Sequence, residues 1–246
     1  MKDSPFFSII TVVLNGDKFL ERSIKSVLNQ SFENFELLII DGKSTDNTLE
    51  IVRKFANDKR LKCTSESDSG IYDAMNKGIQ KADGEWIYFL GYDDFLIDND
   101  VLQEFANAIK TDQPDFIYGK VIWGESNQIF GKSMTINDLK KGYICHQSIF
   151  VRKNTFSLTG YFDTKFKYNA DAQFVIKCFQ LENFKIKFLD RIVAYYHTDG
   201  VSSTNVDDNF VKYKYTFFHQ LSLLEKIKKY YFLYKPNWFK LSRIFK

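Results

Sequence analysis

The stretch Gly84-Glu85-Trp86-Ile87-Tyr88-Phe89-Leu90-Gly91-Tyr92-Asp93-Asp94 constrains this chain more than any other. Trp86 to Leu90 has the length and aromatic content of a buried strand, and it runs out onto two adjacent carboxylates. In open α/β sheets, ligands bind at the carboxyl ends of the strands. Paired acids there are costly unless a cation or ligand hydroxyls occupy them. Hard oxygen donors of this kind suit Mg²⁺ or Mn²⁺ held between a protein and a diphosphate. Taken alone, the pair reads equally well as a solvated turn, because Asp is a common turn residue.

The segments before it alternate strand and helix. Phe6 to Leu14 reads as a buried first strand closed by Asn15-Gly16, and Asp17 to Asn29 carries apolar residues at helical spacing. Phe35 to Ile40 is a second strand ending at Asp41-Gly42-Lys43-Ser44-Thr45-Asp46, with Asp46 as the N-cap of a second helix. Leu61 to Thr64 is a third strand and Gly70 to Lys81 a third helix. This order predicts a mostly parallel, doubly wound α/β sheet with helices on both faces. Asn15 and the acidic turns after strands two and four then fall on one edge. Carboxylates converging there from separate turns favour a ligand site over solvated surface.

The second half is less regular. Helices are expected over Val101 to Ile109 and from Asn169-Ala170-Asp171 onward, and strands over Asp115 to Trp123, Gln128 to Gly131, through Val151, and over Lys185 to Tyr196. Residues 1–225 read as one domain, with a nucleotide-binding half over 1–100 and an acceptor half over 101–225. The tail, 226–246, contains no acid and interleaves Lys228, Lys229, Lys235 and Arg243 with Tyr230, Phe232, Trp238 and Phe239. That mixture suits an anionic membrane surface, or else a packed helix with a basic outer face.

Bulk properties narrow the classes. A net charge of +3 is too small for a dedicated nucleic-acid protein. Cys63, Cys145 and Cys178 lie too far apart for a zinc or disulfide framework and suit a reducing cytoplasm, with the last two expected in the core. No signal-peptide pattern and no apolar run of about 20 residues is visible, so a cytoplasmic protein, peripheral on the inner face of the cell membrane if the tail docks there, is expected.

Several motifs occur together in a fixed order. They are Ser8-Ile9-Ile10-Thr11 through Asn15, Ile40-Asp41-Gly42 with Ser44-Thr45-Asp46, Asp68-Ser69-Gly70-Ile71-Tyr72-Asp73-Ala74-Met75-Asn76-Lys77-Gly78, and Phe89 to Asp94. With His146-Gln147-Ser148, Asn169-Ala170-Asp171 and Gly200-Val201-Ser202, the chain resembles the family 2 glycosyltransferases. The resemblance implies a GT-A fold, a nucleotide-diphosphate sugar donor such as a UDP-sugar, Mn²⁺ or Mg²⁺, and inversion at the anomeric carbon. It implies a glycan or polyprenyl-linked acceptor in cell-surface polysaccharide synthesis.

Carried onto this sequence, the resemblance puts Thr11, Asn15, Asp41, Asp68, Asn76 and Asp93 on the donor, with Asp41 at the nucleobase. Asp93 and Asp94 serve ribose and metal, and Asp171 is the catalytic base. His197, after the last strand, reads as a third metal ligand or as packing. His146 and Gln147 read as acceptor-lining. Asp171 reads alternatively as a helix cap, and His219 as packing on an apolar helix. The chain departs from the family at Gly91, where the first acid of an Asp-x-Asp motif is usual, so Asp94 is expected to supply the missing carboxylate. Leu14 likewise replaces a frequent Tyr. The contrasting expectation is a nucleotide-sugar-binding protein without transfer activity. A nucleotidyltransferase is disfavoured, because no Gly-rich phosphate loop with a following Lys occurs.

Overall fold

A computed structural model describes residues 4–197 and 207–223. The basic aromatic tail and Gly200-Val201-Ser202 lie outside the described residues. The chain divides into two units, residues 1–206 and 207–246.

The first unit is built on a single sheet. Strands β1 (Phe7–Val13), β2 (Phe35–Asp41), β3 (Leu61–Ser65) and β4 (Trp86–Phe89) lie parallel in the order β3-β2-β1-β4. Every residue of β2 and β4 is buried, as expected of parallel strands covered on both faces. Register sets Val13 beside Asp41 and Asp41 beside Ser65, so these strands end level on one edge.

Helices α1 (Leu20–Leu28), α2 (Thr48–Arg53) and α4 (Val101–Asp112) share one core with Phe7, Ile9, Leu37, Ile39, Trp86 and Tyr88. Helix α3 (Ile71–Lys81) packs on β1 and β2 and meets the alternate residues Ile10 and Ile40. Its approach depends on Gly78, where a Cβ would stand 2.5 Å from Ile10 Cγ2 and 3.4 Å from Ile40 Cγ1.

The second half extends the sheet past β4. Strand β8 (Ile149–Arg152) joins β4 antiparallel, and β6 (Phe116–Trp123) joins β8 antiparallel. Strand β9 (Ile186–Tyr196) then runs parallel to β6, and β7 (Gln128–Phe130) hairpins onto it. A two-residue strand, β5 (Phe95–Leu96), pairs antiparallel with Tyr195 and Ala194. The periodicity gives no sign of β5, since two residues carry no pattern. Phe95 stacks on Tyr195 with centroids 5.0 Å apart, and the Arg22 guanidinium lies over the Phe95 ring at 4.3 Å.

Local differences from the sequence reading have local causes. Asn47, not Asp46, is the N-cap residue of α2, but the Asp46 carboxylate still accepts the Thr48 N–H at 3.0 Å. A short helix α5 (Thr155–Thr159) follows β8, and α6 (Ala170–Cys178) follows Asn169. Cys145 and Cys178 are buried as expected.

In the second unit residues 208–223 are helical, and Asp207 accepts the Phe210 N–H at its start, at 3.1 Å. His219, expected as packing, is exposed and stacks on Tyr215. No helix among the described residues is long and apolar enough to cross a membrane.

A side chain at position 78 would overpack the α3–sheet contact. Gly78→Val should lower stability by about 1–3 kcal/mol, read from the urea midpoint at unchanged slope. An unchanged midpoint would mean that α3 is free to move away from β1.

Candidate functional site

A cavity of ≈ 560 Å³ opens at the carboxyl edge of the parallel strands. Its walls come from the end of β1, the start of α3, the loop after β4, the 3-10 turn His146–Ser148, the start of α6 and the end of β9. Asp68, Asp93, Asp94, His146, Gln147, Asp171 and His197 all line it, although they are scattered across 130 positions of sequence.

The acidic loop is anchored to α1. Arg22 donates to the Asp93 carbonyl at 2.9 Å and Ser23 to the Gly91 carbonyl at 3.1 Å, while Ser26 accepts the Leu96 N–H at 3.1 Å. Asp94 turns inward and is 1% exposed. Its Oδ1 accepts the His197 backbone N–H and its Oδ2 the Gln147 side-chain amide, each at 2.8 Å. Burial and the adjacent Asp93 charge push the Asp94 carboxyl up to about 7, against the pull of these two donors. Asp93 is also raised, first by burial, while His197, Arg22 and His146 draw it down.

A Cβ at Gly91 would collide with the Asp94 carboxylate. The position of the first acid in an Asp-x-Asp motif is therefore filled by Asp94 itself. Gln147, expected at the acceptor, is instead spent on Asp94. Its carbonyl oxygen accepts the Tyr88 hydroxyl at 2.9 Å, and its Oε1 the Cys145 thiol at 2.8 Å.

Asp171 is the second residue of α6 rather than its cap, and Asn169 makes no side-chain capping bond. The Asp171 Oδ1 accepts the Tyr72 hydroxyl at 2.8 Å, and His146 Nδ1 lies 2.9 Å from its Oδ2. Burial raises the Asp171 carboxyl, but the His146 hydrogen bond, its charge and Tyr72 outweigh burial and leave it below the usual carboxylate range. Burial likewise lowers His146, and Asp171 overcomes it, so the imidazole sits above its ordinary value. Sequence reasoning passed over Tyr72, although it stands in the first turn of α3 beside the strand ends, where a side chain meets the cavity.

Other expected donor residues are spent inside the protein. Asp41 is fully buried and accepts the Ser65 hydroxyl at 2.5 Å and the Ser44 N–H at 3.2 Å, so it shapes the turn instead of facing the cavity. Asn15, at φ 54°, accepts the Thr45 N–H at 2.9 Å and ties the first loop to the second. Asn76 clamps the Phe162 backbone with bonds of 2.9 and 3.0 Å. Thr11 is buried, and its hydroxyl has no partner among the described residues. Asp68 does reach the cavity and accepts the Gly70 N–H at 2.9 Å.

Among the described residues, no three His, Cys, Asp or Glu side chains converge as a metal-binding group, so the expected Asp93–Asp94–His197 set does not form. Asp94 is committed to its two N–H donors. His197 Nδ1 is buried without a hydrogen-bond partner and lies 3.8 Å from Asp93 Oδ2. An orphaned imidazole nitrogen beside a carboxylate fits a divalent cation completed by diphosphate oxygens, since such ions commonly take one or two protein donors and substrate phosphates.

The sequence profile described as Glycosyl transferase family 2 matches residues 8–187. The chain belongs to glycosyltransferase family 2. It is 38% identical over 214 residues to a PGL/p-HBAD biosynthesis glycosyltransferase of Mycobacterium bovis, covering 85% of this chain and 84% of that protein. It is 33% identical over 144 residues, 56% of either chain, to the Escherichia coli UDP-Glc:alpha-D-GlcNAc-diphosphoundecaprenol beta-1,3-glucosyltransferase WfgD. The S. aureus TarS structure in complex with UDP superposes with a TM-score of 0.69 at 25% identity, covering 78% of this chain and 60% of that one. The chain thus spans about three fifths of that TarS structure, and it shares its GT-A fold.

The acidic pair of this family 2 glycosyltransferase should govern its pH response. The folded protein holds the Asp94 proton more tightly than the unfolded chain does. That stability is fully present below the ordinary carboxylate range and is lost as pH rises through about 7. Asp93→Asn removes the neighbouring charge, so the fall should become shallower. Urea unfolding of both proteins at about pH 5 and about pH 8 checks this, and equal losses would show that Asp93 does not act on Asp94.

Proposed function

We propose that this enzyme transfers a sugar, with inversion, from a UDP-sugar to a hydroxyl of a glycan or polyprenyl-linked acceptor in surface polysaccharide or glycolipid synthesis. The observation that carries the reading is that one cavity is lined both by Asp93 with His197 and, separately, by Asp171 with His146, which supports a donor-diphosphate side and an acid–base side. The donor is supported by TarS, solved with UDP and with UDP-GlcNAc, and by the UDP-Glc named for WfgD. The acceptor is supported by the diphosphoundecaprenol in the WfgD name.

Direct inverting transfer needs a proton acceptor on the face of the sugar opposite the leaving diphosphate. The centre at Asp171 fills that role, and burial of its carboxylate between Tyr72 and His146 keeps it in one orientation. Asp93 and His197 would hold Mn²⁺ or Mg²⁺, which when bound neutralises charge on the departing UDP. Asp94 keeps the loop carrying Asp93 against the end of β9.

Asp171→Asn preserves shape while removing the carboxylate. It should cut UDP release from UDP-glucose or UDP-GlcNAc by about 10²–10⁴-fold, with UDP affinity by calorimetry and Tm near the parent. Parent-like rates would move the acid–base centre elsewhere. In parallel, Asp93→Asn should weaken UDP binding in Mn²⁺ far more than in excess chelator, and equal losses in both conditions would remove Asp93 from the metal site.

A further inference from the structure

The carboxyl end of β6 carries an aromatic group that the site above does not use. Register pairs Trp123 with Tyr196 of β9 and Val121 with Phe130 of β7, so these four residues share one face of the sheet. Tyr143, from the loop that leads into the 3-10 turn at His146, lies against that face. Ring centroids are 4.8 Å apart for Trp123 and Tyr196, 5.4 Å for Trp123 and Phe130, and 6.3 Å for Trp123 and Tyr143. Phe130 and Tyr143 stack at 5.0 Å. Burial is incomplete: Tyr143 is 42% exposed, and Trp123 and Phe130 are half-buried.

Two observations tie these rings to the acid–base side of the cavity. Tyr196 belongs both to the aromatic group and to the cavity wall, whereas Trp123, Phe130 and Tyr143 stand outside that wall. The Tyr143 hydroxyl is pushed up by burial first, and then by electrostatic interaction with Cys145, Tyr196 and Asp171. Its phenol is therefore within electrostatic reach of Asp171. The rings carry no charge, so they suit a neutral ligand. A pyranose offers one, since its C–H face is apolar and packs on an aromatic ring while its hydroxyl rim stays in water.

Resting on the transfer reaction proposed above, we infer that Trp123, Phe130 and Tyr143 form a shelf for the second sugar ring of the acceptor, the one next to the sugar that bears the reacting hydroxyl. The first ring sits in the cavity with that hydroxyl at Asp171, and the second passes Tyr196 onto the shelf. The acceptor this enzyme prefers therefore has at least two rings. A subsite of this kind adds acceptor affinity without touching the donor, so it sets acceptor length and leaves the breakdown of the UDP-sugar alone.

The test uses the full chain, UDP-glucose or UDP-GlcNAc as donor, and as acceptors the methyl glycosides of glucose and GlcNAc beside those of laminaribiose, cellobiose and chitobiose. The parent should show a lower KM for at least one disaccharide than for its monosaccharide. Tyr143→Ala should raise that disaccharide KM by about 3–10-fold, with the monosaccharide KM and UDP release to water at parent values. Tyr143→Phe keeps the ring and should stay near the parent. On the UDP-bound protein, saturation-transfer NMR should mark the second ring of the disaccharide, and Tyr143→Ala should remove that mark. An equal rise in both KM values would put Tyr143 at the reacting sugar and overturn the shelf. A parent that neither uses nor binds any disaccharide better than its monosaccharide would overturn it too. So would a Tyr143→Ala protein with a lower Tm and an unchanged KM ratio, since the rings would then be packing alone. Absence of UDP release from both donors would count against the transfer reading instead, and the NMR measurement would still decide the shelf.

Discussion

The buried carboxylate of Asp94 holds the site together. Its two oxygens join three chain segments, taking one N–H from Gln147, 53 positions away, and one from His197, 103 positions away. A buried acid is tolerated only when its lone pairs are met by donors. Here those donors come from the turn before β8 and the end of β9. Asp94 therefore adds a polar tie between the two halves to the β4–β8 and β5–β9 pairings. With the bonds to α1, it holds the loop that carries Asp93.

That staple also accounts for the departure from the usual acidic motif. Gly91 and Asp94 are two sides of one arrangement, because the Asp94 carboxylate occupies the space that a side chain at position 91 would need. The acid has not simply moved along the sequence. Asp94 still borders the cavity, but both its oxygens accept protein donors, while the buried Nδ1 of His197 is left without a partner 3.8 Å from Asp93. The site thus has fewer free carboxylates than its sequence advertises.

A similar economy runs along the rim. Asn15, Asp41, Ser44, Thr45 and Asp46 bond to one another or to neighbouring loop backbone, so the loops after β1 and β2 are laced together. Such short polar residues compete well for nearby backbone donors. Residues that look like ligand contacts in the sequence serve here to hold the edge on which ligand contacts stand. Asp171, which lines the cavity, is braced instead by Tyr72 from α3 and by His146.

The sequence by itself determined the α/β class, the four parallel strands with their level edge, the helices between them, and the cluster of acids at that edge. These follow from local periodicity and from the rule that parallel strands deliver their loops to one side. Even in the second half, β6, β8 and β9 were legible as apolar or alternating runs. Only the tertiary structure decided which polar residues face the cavity. Asp41, Asp94 and Asp171 all accept donors from other segments, yet Asp41 is shut away from the cavity while Asp94 and Asp171 line it. The pairing of His146 with Asp171 is of the same kind, since 25 residues and a strand separate them. Periodicity assigns a side chain to a face, but its hydrogen-bond partners depend on which distant segments the fold brings within about 3 Å.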